Sequence, residues 1–277
     1  MPWEAYALLL AAGIIGGFVS GLLGIGGGVI YISVIPYALH FWNIPQEWHA
    51  QVIIANSLAA IFFSSLAANY SHYKRKYYYP RPILIIGLAA AVSSGLSLKF
   101  FVNTELFSMK IFLCCLLILL LYMLMITLKG SIVPANDSVQ KVPVWGLVMI
   151  GIFSGLVAAA SGLGGGFVVI PLLNRFFGIN IRKAGAISMG VIMLSSFTIT
   201  LINLYATMPS YVVGTVGLII PGICIALSAT VLFTSPIGVH AAHKLNPRWI
   251  SLIYAGFLLI IIVDKSIRLL TLFGYTS

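Results

Sequence analysis

Apolar residues run almost without interruption along this chain, and the few polar stretches cut them into segments of helix length. Residues 4–21 form a first apolar run, and a second follows Gly24-Ile25-Gly26-Gly27-Gly28 and continues to about His40. Beyond a polar link at 42–47, the pattern predicts helices over 49–70, 83–98 and 111–128. The most polar stretch of the chain, 129–143, carries Asn136, Asp137 and Lys141. After it the plan repeats: an apolar run at 144–161, then Gly162-Leu163-Gly164-Gly165-Gly166, a further apolar run to Phe177, and helices predicted over 184–205, 211–233 and 249–272. Apolar runs of about 17 residues or more imply membrane-spanning helices, because the strands of a barrel would alternate polar and apolar positions.

The repetition is close. The two glycine clusters lie 138 positions apart, Ser57 precedes Ser64-Ser65 by seven residues, and Ser188 precedes Ser195-Ser196 by seven. An internal duplication follows: a first transmembrane repeat at 1–129, a cytoplasmic linker at 130–143 and a second transmembrane repeat at 144–277. Charge indicates how the repeats are related. If each broken segment returns to its own side, as a re-entrant hairpin or as two short crossings, the second repeat is inverted. Lys74, Arg75, Lys76, Arg81, Lys129, Lys141, Arg175, Arg182, Lys183, Lys244 and Arg248 then share one side, leaving Lys99, Lys110, Lys265 and Arg268 on the other, 11 to 4. Parallel repeats give 8 to 7, which is no bias. The positive-inside rule favours inversion and places both termini outside. The expected fold is therefore an all-α integral membrane protein of two inverted repeats. Each repeat has a Gly-broken helix pair plus three long transmembrane helices, roughly eight to ten membrane segments in all.

Composition agrees: 61% of residues are hydrophobic and 7% charged, against about 25% charged in soluble domains. The lipid bilayer is the expected environment, and a bacterial cytoplasmic (inner) membrane the expected location. The net charge of +10 does not indicate nucleic acid, because the basic residues sit in short loops between spans. The N-terminal run has no basic flank and no small-residue cleavage site, so it reads as a first span. Cys114, Cys115 and Cys224 have no metal-ligand spacing and read as packing residues. No Walker A lysine follows either glycine cluster, and no His/Glu cluster or nucleophile–base pair stands out. Neither an enzyme nor a bound metal or cofactor is expected.

The chemistry centres on the glycines. Four glycines in five positions work against a helix, at about 1 kcal/mol each relative to Ala. In lipid, broken backbone is tolerated only where protein buries it or it lines a watery cavity. Helices restarting near Val29 and Phe167 would present unpaired N–H groups and about half a positive charge, a site for an anion. Paired breaks in two halves mark a transporter's binding site. The substrate-binding candidates are Gly26, Gly27, Gly28, Asn56, Ser57, Gly164, Gly165, Gly166 and Ser188. Helix packing and interhelical hydrogen bonding are the alternative roles for these residues. Acidic residues are limited to Glu4, Glu47, Glu105, Asp137 and Asp264, which argues against a divalent cation as cargo. Asp264 precedes Lys265, and an ion pair is expected there. His49, His72, His240 and His243 read most simply as solvated, and His49 is the best candidate among them for coupling to protons.

With its GxxxxLLGIGGG pattern at Gly17–Gly28 and the SGLGGG form ending at Gly166, the chain resembles the sulfite exporter TauE/SafE family of membrane transporters. Val168-Val169-Ile170-Pro171 and the serine-bearing helices extend the resemblance over nearly the whole chain. It departs where Ser33 stands at the first copy of the proline position, and where Asn56-Ser57 and Ile187-Ser188 replace a threonine–serine pair. The resemblance implies a small anionic substrate such as sulfite, thiosulfate, sulfoacetate or another sulfonate. The expected function is a secondary transporter working by alternating access between the two breaks. A channel-like anion pore and a membrane-embedded assembly partner are the alternatives.

Overall fold

The structure, a computed structural model, describes residues 3–39, 41–42, 44, 48–102, 114, 117–118, 120–122, 124–125, 142–206 and 214–272. Among these residues the fold is built from helices joined by turns and contains no strand. The first half holds α1 (Trp3–Leu23), α2 (Gly28–Leu39), α3 (His49–Lys74) and α4 (Pro80–Ser97), the last running into a π turn at Leu98–Val102. The second holds α5 (Val144–Ser161), α6 (Gly166–Phe177), α7 (Ile181–Leu204), α8 (Pro221–Lys244) and α9 (Pro247–Leu272). Cys114 and residues 117–118, 120–122 and 124–125 are also helical, inside the helix predicted at 111–128. The linker expected at 130–143 lies outside the described residues except for Val142 and Pro143, and the turn expected around Pro209 lies outside them as well.

Seven described helices are long and apolar enough to cross a membrane, so the chain is an integral membrane protein. The exceptions are α2 and α6, each 12 residues, or about 18 Å against a hydrocarbon core of about 30 Å. They do not continue the helix before them. A Cβ on Gly27 would lie 2.5 Å from the Gly16 carbonyl oxygen, and one on Gly165 2.5 Å from that of Ser154. Each pair is 11 residues apart in sequence, which a straight helix would separate by about 16 Å. Both broken segments therefore fold back on themselves.

The helix boundaries differ most from expectation in α3 and α8. Helix α3 continues past Tyr70 to Lys74. Helix α8 begins at Pro221 instead of 211, because positive φ at Gly214 and Gly217 builds a turn closed by a Val216–Ile219 bridge. Proline at the first helical position is favourable. The helix then runs through Pro236 to Lys244, beyond the expected stop at Phe233.

Small residues set how the halves meet. Along α1, Gly13 faces Leu227 and Thr230, Gly17 faces Val231 and Thr234, and Gly21 faces Ser235 and Val239 of α8. Numbers rise together, so α1 and α8 are parallel. Likewise α5 runs parallel to α4, with Gly151 against Ile86 and Ala89 and Gly155 against Ala90 and Ser93. Helices α3 and α7 are antiparallel, pairing Asn69 with Met193 and Phe62 with Phe197. Ser64 bonds Ser20, and His72 lines a cleft with Gly24, so α3 runs with α1. Thus α1, α3 and α8 point one way, and α4, α5 and α7 the other. Close contact without intervening side chains is what draws helices together in lipid, where apolar burial gives little drive.

Alanine at Gly21 or Gly238 tests these contacts, since its Cβ would meet the Ser235 or Phe18 carbonyl oxygen at 2.0 or 2.1 Å. Each change should destabilise the purified protein by about 1–3 kcal/mol, the cost of forced backbone movement. Gly256→Ala, with nothing within 4 Å of the new carbon, should leave stability equal or higher by up to about 1 kcal/mol. Thermal unfolding in detergent measures all three. A wild-type melting point for Gly21→Ala would mean that α1 and α8 do not pack at this distance.

Candidate functional site

The two glycine breaks share one backbone conformation. Gly24, Gly26 and Gly27 have φ of 75°, 91° and 69°, and Gly162, Gly164 and Gly165 have 67°, 87° and 69°. These left-handed values are accessible to glycine and strained for most other residues. Backbone bonding stops and restarts at matching places. Gly24 N–H closes α1 on the Ser20 carbonyl, and the next bond runs from Ile30 N–H to Gly27. In the second half Gly162 N–H bonds Ala158, Leu163 N–H bonds the Ser161 hydroxyl, and Val168 N–H then bonds Gly165. Among the described residues, the N–H groups of Gly26–Gly28 and Gly164–Gly166 have no protein acceptor. They stand at the N-termini of α2 and α6, the ends that carry partial positive charge.

Each break is fastened by the other half. The Ser57 hydroxyl donates to the Gly162 carbonyl at 2.6 Å, and the Ser188 hydroxyl donates to the Gly24 carbonyl at 2.8 Å. A Cβ on Gly28 would lie 3.0 Å from the Gly162 oxygen, and one on Gly166 2.9 Å from the Gly24 oxygen. Every one of the nine candidate residues is buried. Asn56, however, is drawn elsewhere. Its amide nitrogen donates to Val52 at 2.8 Å and Leu218 at 3.1 Å, while its oxygen accepts from Ile220 N–H at 2.9 Å. It clamps the turn before α8. The serine hydroxyl protons and the Asn56 amide are thus engaged with protein carbonyls, and the donors left over at the breaks are backbone N–H groups.

Ile61 and Ile192 are the site residues that the sequence pattern did not single out. They lie four positions after Ser57 and Ser188, on the same helix face. Both are fully buried. A Cβ on Gly26 would be 3.1 Å from Ile61 and 3.6 Å from Ile192, and one on Gly164 3.3 Å and 3.5 Å from the same two residues. The pair fills the space between the breaks. Tyr31 was also missed: it is fully buried, and its hydroxyl, which has no hydrogen-bond partner among the described residues, lies against Gly16 and Gly27.

The histidines fall in different places. His49 Nε2 donates to the Ile44 carbonyl at 2.9 Å, 12 residues before Ile61 and so about 18 Å along α3 from the breaks. His72 is buried, 4% exposed, which corrects the expectation that it is solvated. The extra turn of α3 carries it inward, where its ring meets that of His243 at 5.6 Å. Asp264 and Lys265 form the expected ion pair at 2.8 Å.

The crossed hydrogen bonds predict matched effects. Ser57→Ala leaves the Gly162 carbonyl buried without that donor, and Ser188→Ala does the same to Gly24, each costing about 1–3 kcal/mol of stability. Denaturation of the two purified variants measures this. A wild-type unfolding curve for both would show that the serines do not hold the breaks.

Comparison with known proteins agrees with this architecture. The sulfite exporter TauE/SafE family matches residues 9–264. A protein of Methanocaldococcus jannaschii named "Probable membrane transporter protein MJ0441" is 24% identical over 254 residues, 91% of each chain. One of Haemophilus influenzae named "Probable membrane transporter protein" is 28% identical over 269 residues, covering 94% of this chain and 98% of its own. A Bacillus subtilis protein named "Probable membrane transporter protein YunE" is 27% identical over 208 residues, 70% of this chain and 76% of its own. No solved structure matches the chain. Family and relatives place it among membrane transporters and not enzymes, and the chain belongs to the sulfite exporter TauE/SafE family.

Proposed function

We propose that this transporter carries a small anion, a sulfur oxyanion or organosulfonate such as sulfite, thiosulfate or sulfoacetate. The observation that carries the reading is the pair of facing glycine breaks, whose unpaired N–H groups lie at two helix N-termini. Gly26–Gly28 and Gly164–Gly166 supply the donors; Ser57 and Ser188 hold the breaks in place, and Asn56 secures the turn beside them. Acid is scarce where the anion would pass, since no Asp or Glu lies between Glu47 and Glu105 or between Asp137 and Asp264. The family's description names sulfite, which agrees with such donors. Among the described residues no arginine is hydrogen-bonded at Gly26–Gly28 or Gly164–Gly166, so recognition rests on size and oxygen count more than on bidentate geometry.

Transport would proceed by alternating access between two inverted repeats, 1–129 and 144–277. Supporting this, three long helices of the first half run opposite to their counterparts in the second: α1 to α5, α3 to α7, and α4 to α8. Ile61 and Ile192 close the space between the breaks in this conformation, and a carrier would open it from one side at a time. In the proposed orientation the Arg75 and Arg182 ends face the cytoplasm, both termini lie outside, residues 130–143 are a cytoplasmic linker, and the membrane is the bacterial inner membrane.

Two measurements test these claims. In proteoliposomes, uptake of labelled sulfite or thiosulfate should saturate and show counterflow, and potassium or a neutral solute of similar size should not compete. Conductance that rises without saturation would point to a pore, and absence of anion flux would sink the reading. For orientation, single cysteines replacing Lys76, Lys183 or Pro209 are introduced after Cys114, Cys115 and Cys224 are changed to serine. The first two should be shielded from an impermeant thiol reagent in intact cells and the third labelled. Labelling at Lys183 but not at Pro209 would contradict inverted repeats.

A further inference from the structure

Two short turns, one in each half, share the same build. In the first, Lys76 has a φ of 61°, and Tyr77 N–H bonds the His72 carbonyl at 3.0 Å before Pro80 starts α4. In the second, Gly217 has a φ of 59°, and Leu218 N–H bonds the Asn203 carbonyl at 2.9 Å before Pro221 starts α8. Asn203 follows His72 by 131 positions, the spacing that also relates Ser188 to Ser57. Each turn is tied to the C-terminal end of α3 or α7, and those helices are antiparallel, so the turns stand at opposite ends of the bundle.

The second turn crosses the gap that holds the glycine breaks. It is tied to α7 through Asn203 and to α3 through Asn56, the two helices whose serines fasten the breaks. Asn56 is adjacent to Ser57 and seven residues into α3, about 10 Å from the start of that helix. Leu218, Ile219 and Ile220 are buried in one apolar cluster with Ile61 and Ile192. Non-helical backbone at such depth needs its polar groups satisfied by protein. The turn does this partly for itself, with Val216 and Ile219 exchanging bonds of 2.8 and 3.1 Å. Asn56 satisfies two more groups: its amide donates to the Leu218 carbonyl at 3.1 Å, and its oxygen accepts from Ile220 N–H at 2.9 Å.

The corresponding side chain at the other end cannot do this. Gly190 of α7 lies against Ile83 of α4, and Gly87 against Leu194. Three residues back on each helix, Ile187 comes level with Pro80, and Ile187 follows Asn56 by the same 131 positions. Isoleucine has no polar atom with which to hold a turn. The backbones differ in the same sense. A left-handed φ suits Gly217 and strains Lys76, the one non-glycine residue with positive φ among the described residues. One turn is relaxed and pinned by a side-chain amide. The other is strained, and its rings pack Tyr77 on His243 and Tyr78 on Tyr73.

We infer that the turn at 214–220 is one gate of the transport path, that Asn56 is the positioning residue that latches it shut, and that the resting protein opens first at the Lys76–Tyr79 end. The gate's part in transport rests on the alternating access proposed above; the latching itself does not. In the proposed orientation the latched gate faces outside.

Thiol reactivity of the purified full-length protein tests the latch independently of transport. Ile219→Cys, with Cys114, Cys115 and Cys224 changed to serine, places a reporter in the turn, where the side chain is 5% exposed. It should react slowly with a water-soluble maleimide in detergent. Adding Asn56→Ala should speed the reaction about ten-fold or more, through the loss of two hydrogen bonds. Ile86→Cys, fully buried on α4, should stay slow in both backgrounds, which separates opening of the turn from unfolding. If Asn56→Ala does not fold, amide exchange in the unaltered protein decides: Leu218 N–H should exchange about ten-fold more slowly than Tyr77 N–H. Sided transport then distinguishes a latch from a packing residue. In proteoliposomes of one orientation, Asn56→Ala should lower the half-saturating concentration of labelled sulfite on the outer face and raise it on the inner, each about three-fold or more, because the outward-open population grows. Unchanged reactivity of Ile219→Cys in folded Asn56→Ala protein, exchange at Leu218 as fast as at Tyr77, or half-saturation moving the same way on both faces would each overturn the latch. Anion flux that persists beside such a result would leave the transport reading intact. Raised reactivity in a protein without anion flux would sink the transport reading and leave the latched turn standing.

Discussion

A hydrocarbon interior supplies no hydrogen-bond partner, so every break in a helix must be satisfied by the protein itself or by something it carries. This fold places two such breaks at its centre and meets half of the demand internally. The carbonyls of Gly24 and Gly162, freed from helix bonding, are taken by Ser188 and Ser57, each from the opposite half. The N–H groups of the following glycines are left without a protein partner. Acceptors are quenched and donors are free, and that asymmetry gives the centre its electrostatic character.

The rest of the structure serves to bring the breaks together. Glycine-to-carbonyl contacts lock α1 to α8 and α4 to α5, leaving α3 and α7 to cross between them with their serines facing the opposing glycines. The isoleucine one turn beyond each serine then occupies the gap. A hydroxyl holding a carbonyl and a methyl group filling a void are both interactions that a ligand with oxygen acceptors could displace. Relative motion of the halves would change both at once, because the bonds that fix one break are carried by the other half.

Much of this was legible in the sequence, for physical reasons that can be named. Glycine-rich interruptions within apolar runs contradict helix propensity so strongly that a break was the natural reading, and the chain does break at both clusters with the same backbone conformation. What the sequence concealed is mostly tertiary. Asn56 looked like a partner to its neighbour Ser57, yet one residue along a helix turns the side chain by about 100°, and it bonds Leu218 and Ile220 instead. Ile61 and Ile192 were invisible among many apolar residues, though their spacing of four from the serines places them on the same face. The start of α8 was misjudged because residues 211–220 are as apolar as a helix, while Gly214 and Gly217 turn the chain. His72 read as a loop residue because it precedes a basic run, and only the extra turn of α3 buries it.

The claim on which the account depends is that the two glycine breaks together form one anion site. A structure of the purified protein determined with sulfite present tests it most directly. The account predicts an anion between Gly26–Gly28 and Gly164–Gly166, held by their N–H groups, with Ile61 and Ile192 withdrawn from the gap. Sulfite bound only at a distance from the glycines, with the two isoleucines still packed between the breaks, would contradict it.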